Sequence, residues 1–423
     1  MIKILYGDIV FTSTPSKFDV YENSYLVSKD RIIIGIFKNL PNEYKKCEID
    51  NYKNKLIIPG LIDLHLHASQ YAYRGLGMDL ELIEWLQNNI FPEEAKYKNI
   101  EYAEKAYDIF VDDLKHSFTT RCCIFATIHK DASILLMDKL EKTGLITFVG
   151  KVNMDRNCPA FIKEETNQSY LDTISFLKTI KKKGYINTKP ILTPRFIPSC
   201  TDELLDKIKE IQIKYNLPIQ SHLSENLDEI EWVKNLCPYS KNYAETYSIH
   251  GLFGKNVKTL MAHCIYLDDE ELDLIKKNNV YIVHCPESNT NLKSGIAPIR
   301  KYLDGKLNIA LGTDISAGTN LNMFYSMVNA IQQSKLRWKF VDKNYKPITE
   351  EETFYLATKG GGSFFGKVGS FENGYELDAL VIDDEKLRHP QKLSLEERIK
   401  RTIYLANEKV LISKYVRGNK INL

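Results

Sequence analysis

From Met1 to about Leu56, apolar residues alternate in short stretches, Ile2, Ile4 and Tyr6 first and Ile32 to Ile36 later. Polar turns at Ser13 to Lys17 and Pro41 to Tyr44 break them, which predicts an all-β start. After Pro59-Gly60 the texture becomes brief apolar runs alternating with longer amphipathic stretches, the rhythm of successive β-α units. Eight strands are predicted, at Leu56 to Leu66, Thr119 to Thr127, Leu145 to Val152, Ile191 to Phe196, Pro218 to Leu223, Thr259 to Ile265, Val280 to His284 and Leu307 to Leu311. Helical spacing falls at Ile100 to Lys115, Tyr170 to Lys182, Thr201 to Tyr215, Leu227 to Leu236 and Asp268 to Lys277.

Eight such repeats over residues 57–365 fit an α/β fold, a (β/α)8 TIM barrel, whose functional residues gather at the C-terminal ends of its strands. The tail returns to strand-like patches at Gly369 to Phe371, Glu376 to Ile382, Arg401 to Leu405 and Val410 to Val416. Residues 1–56 are too few to build a core alone, so the expectation is that they pair with residues 366–423 in one small β-sandwich beside the barrel. The run Gly360-Gly361-Gly362 reads as a tight connection.

Composition narrows the chemistry. Hydrophobic residues are 43% and charged residues 26% of the 423, an ordinary globular balance that excludes disordered, collagen-like and coiled-coil chains. Basic and acidic residues number 57 and 55, so no global field favours nucleic acid or an anionic membrane, and neither is expected as a partner. The N-terminus lacks the apolar core of a signal peptide and no later run reaches about 20 apolar residues, which leads to the expectation of a cytoplasmic protein. Its eight cysteines include no C-x-x-C pair and are expected to be reduced thiols.

Of nine histidines, five stand where a predicted strand gives out: His65 and His67 after the first, His222 after the fifth, His263 after the sixth and His284 after the seventh. Asp314 has the same place after the eighth. All these ends face one rim of a barrel, so residues distant in sequence can meet there. In His65-Leu66-His67 the i, i+2 spacing puts both imidazoles on one face of a strand. Together with His222 and Asp314 they would give three neutral nitrogens and one anionic oxygen, a donor set that suits catalytic zinc and is also compatible with iron. Glu225, three residues after His222, can exchange protons with a metal-bound water or cap the helix that starts near Asn226; Asp228 is available for the capping role. His116, His129, His250 and His389 lie in helical or connecting segments and read as structural.

With these residues in hand, the sequence resembles the amidohydrolase superfamily, through Pro59-Gly60-Leu61-Ile62-Asp63-Leu64-His65-Leu66-His67, Gln220-Ser221-His222, Met261-Ala262-His263-Cys264 and Leu311-Gly312-Thr313-Asp314. Members with a bridging lysine after strand four hold two metals; Thr193 to Pro198 offers Arg195 instead, so the resemblance implies the mononuclear, deaminase-like subclass. Within it the chain is most similar to the guanine deaminases. The words that carry this are His67-Ala68-Ser69-Gln70-Tyr71, Leu82-Ile83-Glu84-Trp85-Leu86, Phe91-Pro92-Glu93-Glu94, Phe125-Ala126-Thr127-Ile128-His129, Asn153-Met154-Asp155, Thr193-Pro194-Arg195-Phe196 and Ser221-His222-Leu223-Ser224-Glu225-Asn226.

That resemblance implies one Zn2+ per subunit on His65, His67, His222 and Asp314, a proton shuttle at Glu225, and His263 and Asp314 aligning the attacking hydroxide. It further implies a guanine held by Gln70, Arg195 and Phe196 beside His222 and Glu225, and a homodimer. The residue chemistry agrees: an aromatic face can stack on a flat purine, Arg195 can donate to its O6 carbonyl, and Gln70 can serve the ring edge. His284-Cys285-Pro286-Glu287-Ser288-Asn289 resembles the loop that supports the pocket, and Ser316 to Asn320 takes no role. Two rivals are a related barrel acting on another amino-heterocycle and a metal-free scaffolding relative; the second should have lost the ligands, which are all present.

Overall fold

A computed structural model describes residues 2–423. The chain opens with β1 (Ile2–Thr14), β2 (Lys17–Lys29), β3 (Ile32–Phe37) and β4 (Asp50–Pro59). The barrel follows, built from β5 (Leu61–His67), β6 (Thr119–Phe125), β7 (Ile146–Gly150), β8 (Val152–Asn153), β9 (Thr188–Pro190), β10 (Thr193–Pro194), β11 (Ile219–Leu223), β12 (Thr259–His263), β13 (Tyr281–His284) and β14 (Asn308–Leu311). The chain ends with β15 (Ala379–Ile382), β16 (Leu411–Val416) and β17 (Asn419–Ile421).

Parallel pairing runs β5-β6-β7-β9 and β11-β12-β13-β14, four strands each. A bridge between Leu192 and Ile219 joins the two runs on one side. On the other, Asp314 N donates to His65 O and His67 N to Ile315 O, which closes the cylinder. Ile62, Leu64, Cys123, Ile191, Leu260, Ala262, Val283 and Ala310 fill its interior. The outer helices lie within a few residues of their expected positions, at Ile100–His116, Thr166–Lys183, Asp202–Tyr215, Leu227–Leu236 and Asp269–Asn278. Their apolar stripes bury against the strands, as amphipathic periodicity dictates.

The chain ends share a seven-stranded sheet ordered β17-β16-β15-β4-β1-β2-β3. Alternation sorts its side chains: Leu5, Ile9, Leu26, Ile33, Ile57, Ala379, Val381 and Tyr415 form one apolar core of their own. Val10, Leu56, Ile58, Leu380 and Ile382 belong instead to the large core shared with the barrel's helices. Arg121 on β6 locks the two units: Nε donates to Asp378 at 2.5 Å and Nη2 to Glu376 at 2.6 Å, with Arg121 2% exposed and the Asp378 side chain 0%.

Five expectations need correction. The first predicted strand is divided at Gly60, with Asp50–Pro59 in the end sheet and Leu61–His67 in the barrel. A Cβ at Gly60 would stand 2.2 Å from Thr120 Oγ1, so only glycine permits this junction. The fourth strand is two short pieces, because Pro190 and Pro194 cannot donate to a ladder. Arg401 to Leu405 is the end of a helix, Leu395–Leu405, capped by a Ser394/Glu397 box, and Gly369 to Phe371 forms no strand. Gly360-Gly361-Gly362 continues a helical segment, whose lack of side chains lets it lie against Ile62 and Ile309.

All eight cysteines are free thiols, six of them buried. Among the described residues no helix is long and apolar enough to cross a membrane.

Candidate active site

Each barrel strand delivers its last residue or the next few to one rim. Strand β5 ends in His65 and His67, β11 carries His222, β12 ends in His263, and Asp314 follows β14. His263 and Asp314 sit at φ of 70° and 49°, so the chain turns sharply as it leaves the strand. Close approach makes the last step possible: a Cβ at Gly312 would lie 2.9 Å from that of His65. Asp63 then ties β5 to the Asp314 segment, accepting from the backbone N–H groups of His65 and Thr313 at 3.2 and 3.0 Å and from the Thr313 hydroxyl.

The polar atoms converge. Asp314 Oδ1 is 3.1 Å from His65 Nε2 and 3.3 Å from His67 Nε2, and the Nε2 atoms of His67 and His222 are 3.3 Å apart. A tetrahedral zinc with bonds of about 2.0–2.1 Å has ligand-to-ligand edges of about 3.3 Å, and these three separations match such edges, with His65 common to both the histidine set and the set that holds Asp314. The tautomers agree. His222 Nδ1 lies 2.6 Å from the Arg195 carbonyl, which can only accept, so the proton is on Nδ1 and the Nε2 lone pair faces the cluster. His65 Nε2 is buried without a hydrogen-bond partner. Among the described residues, two overlapping groups have donor atoms within 4.8 Å of one another: His65, His67 and His222, and His65, His263, Cys285 and Asp314.

Burial sets the protonation states. It pulls His67 down to about 3, and with the neighbouring histidines holds His222 well below the ordinary range. Burial works to raise Asp314, yet His65 and His67 hold its carboxyl well below the usual value. His67 and His222 are thus neutral imidazoles and Asp314 a carboxylate, the forms in which such groups bind a divalent cation. Glu225 behaves oppositely: burial, reinforced by the carboxylates of Asp314 and Glu229, pushes it well above the usual carboxylate range.

Glu225 is not a helix cap. Asn226 caps the helix by accepting from Asp228 N at 2.8 Å, and Glu229 takes the N–H groups of Glu225 and Asn226; Asp228 serves in neither role. The Glu225 side chain is left facing the cavity, its Oε2 3.3 Å from His263 Nε2 and its Oε1 accepting from Ser294 Oγ at 3.3 Å. His263 Nε2 is also 3.6 Å from Asp314 Oδ2, and Asn289 Oδ1, 2.9 Å from Nδ1, fixes the ring.

The other expected residues line the same pocket: Gln70, Arg195 and Phe196 stand with His67, His222, Glu225, His263 and Asp314 around it. Arg195 and Phe196 close one wall, and the Phe196 ring packs 6.4 Å from Trp232. Leu82, Trp85, Leu86, Leu292 and Ala317 supply the apolar remainder, none of which the sequence reading assigned to the site. Ala317 gives the segment after Asp314 a place in the pocket wall. His284 stays apart, buried behind the rim, with Nδ1 unpartnered. The wide cleft around Arg398 on the end sheet holds no part of this cluster, and its guanidinium is committed to Asp8, Asp384 and the Asn54 carbonyl.

Comparison with known proteins agrees with this geometry. The amidohydrolase family profile matches residues 56–419. A guanine deaminase of Dictyostelium discoideum is 38% identical over 100% of this chain and 98% of its own length. The human guanine deaminase is 39% identical over 89% of this chain and 86% of its own. A crystal structure of guanine deaminase from C. acetobutylicum with bound guanine in the active site is 50% identical, covers 100% of both chains and superposes with a TM-score of 0.97. By its profile match, its full-length relatives and the strand-end cluster of histidines and aspartate, the chain belongs to the amidohydrolase family.

Proposed function

We propose that this protein is a guanine deaminase, converting guanine and water to xanthine and ammonia. The observation that carries the reading is the pairing of the histidine and aspartate donors, His65, His67, His222 and Asp314, with a wall of Gln70, Arg195 and Phe196 that offers polar and aromatic groups to a flat heterocycle in one pocket. The likeness to the guanine-bound structure, 50% identical over the whole chain, supports the substrate.

His65, His67, His222 and Asp314 would hold the cation, and their nitrogen and oxygen donors favour zinc. When bound, such a cation supplies Lewis acidity that lowers the pKa of water to about 7. The remaining chemistry belongs to side chains. Arg195 donates to the carbonyl O6, Phe196 packs on the flat ring, and the apolar Leu82, Trp85 and Leu86 exclude water. Glu225 removes the proton of the attacking water and delivers it to N3 of the ring as C2 becomes tetrahedral. Its environment suits both halves, since burial that raises a carboxyl well above its usual range makes the carboxylate a stronger base and the acid able to hold the proton until N3 takes it. His263, steered by Asn289, and Asp314 orient the incoming oxygen toward C2. The proton of the new C2 hydroxyl, passed through Glu225 to the C2 amine, lets the C2–N bond break, releasing ammonia and leaving the C2 carbonyl of xanthine. The eight free thiols fit a reducing, cytoplasmic setting, and the same reading carries a homodimer.

The test is ultraviolet detection of xanthine from guanine. Glu225→Gln keeps the shape and the cluster but cannot shuttle, so turnover should fall by at least about 10³-fold with bound metal unchanged. Full activity in that variant, or preference of the wild type for another amino-heterocycle, would overturn the scheme.

A further inference from the structure

The segment Phe91-Pro92-Glu93-Glu94 carries part of the likeness, yet no step above uses it. In the structure it forms the short helix Phe91–Ala95, and Glu94 is 1% exposed beneath the pocket wall. Its two oxygens are divided between the two polar residues expected to read the purine: Oε1 accepts from Gln70 Nε2 at 2.8 Å and Oε2 from Arg195 Nη1 at 2.6 Å. The Arg195 guanidinium also lies 5.2 Å from the centre of the Phe91 ring, so its plane is held from two sides.

A carboxylate paired with arginine only accepts, so the Gln70 atom beside it must be the amide nitrogen. That fixes the amide. Gln70 Oε1 has no hydrogen-bond partner among the described residues and faces the pocket that Gln70 lines. Arg195 likewise spends Nη1 on Glu94 and keeps its remaining donors for the pocket. The wall therefore shows a donor beside an acceptor, the complement of a purine edge that carries a carbonyl next to an N–H. An adenine-type edge, with an amine where the carbonyl stands, would meet donor with donor.

The geometry points to Glu94 as a positioning and specificity residue, which locks the Gln70 amide with its carbonyl toward the substrate and holds Arg195 as the adjoining donor, so that the pocket selects 6-oxopurines. This rests on the reading of the site as a purine deaminase and goes beyond it by naming what sets the polarity of the wall.

An exchange of side chains tests it in the metal-loaded enzyme. Glu94→Gln frees the Gln70 amide to flip, and should raise KM for guanine about ten- to a hundredfold while changing kcat less. Gln70→Glu alone opposes two buried carboxylates and should be worse. The double variant Glu94→Gln/Gln70→Glu is expected to recover at least about tenfold in KM over either single change, because a carboxylate at position 70 can only accept: it takes the amide introduced at position 94 on one side and offers an acceptor to the purine on the other. A residue that merely supports the fold gives no reason for that rescue. Calorimetric binding of guanine, with Glu225→Gln added to each chain, reads the same cycle without turnover, and a wild type that binds guanine and does not deaminate it sinks the functional reading alone. A KM for Glu94→Gln within twofold of wild type, or a double variant no better than its parents, overturns the proposal. If Glu94→Gln fails to fold, the double variant against Gln70→Glu decides it by the same criterion.

Discussion

Replacing Arg121 by leucine removes a side chain that joins the middle of β6 through buried charge to the segment leading into β15 of the end sheet. Asp378, 0% exposed in its side chain, would keep only the Arg417 backbone N–H at 2.8 Å, while Glu376, at 29%, can turn to solvent and to Arg417. Stranding a buried carboxylate in this way costs about 3–5 kcal/mol. At about 2.1 cal/mol/K of unfolding entropy per residue, the 423-residue chain should lose about 3–6 °C in Tm. Arg121→Leu/Asp378→Asn deletes the stranded charge as well and should recover most of that loss. Differential scanning calorimetry on the two variants checks both numbers. A single variant within 1 °C of wild type, or a double variant no more stable than the single, would refute the claim that charge satisfaction at Arg121 holds the units together.

Three further outcomes follow from the structure. Chelation should release about one equivalent of divalent metal per chain, abolish turnover and lower Tm, with zinc restoring both; a ligand at 1,000 times its Kd is worth about 4 kcal/mol to the folded state. His67→Ala should bind metal measurably less tightly by elemental analysis, and unchanged metal content would remove it from the ligand set. Lys414, buried against the carbonyls of Lys115 and Thr119, is pulled down to about 7 by burial. Between that value and 10.5 the unfolded chain holds a proton that the folded one does not, so this residue makes stability rise with pH through the window. Lys414→Met should flatten that rise relative to wild type in denaturant titrations at pH 7 and 9.5; an identical slope would discount the shift.

Much of the barrel and its metal-binding corner was legible in the chain because each parallel strand reports its own end. An apolar run that stops at a histidine or aspartate marks a rim position, and the alternation in His65-Leu66-His67 fixes which face the pair shares. Glu225 was harder, since a carboxylate just before a helix has two uses; what separates them is that Asn226 with Glu229 already completes the cap. Glu94 carried no periodic signal of its own, because its partners Gln70 and Arg195 lie on other elements and the pairing exists only in three dimensions. The error at Arg401 to Leu405 was avoidable: Ser394 with Glu397 three residues on is a capping box, and Ile399, Thr402 and Ile403 keep helical spacing.

The single residue between β4 and β5 has a mechanical consequence. Pro59 ends a strand of the outer sheet and Leu61 begins the strand that bears His65 and His67, with Gly60 wedged against Thr120 between them. Such a splice leaves no slack for rotation of one unit against the other, since any turn of the sheet would drag two imidazoles out of register with His222 and Asp314. The outer sheet therefore serves as an anchor for the coordinating strand.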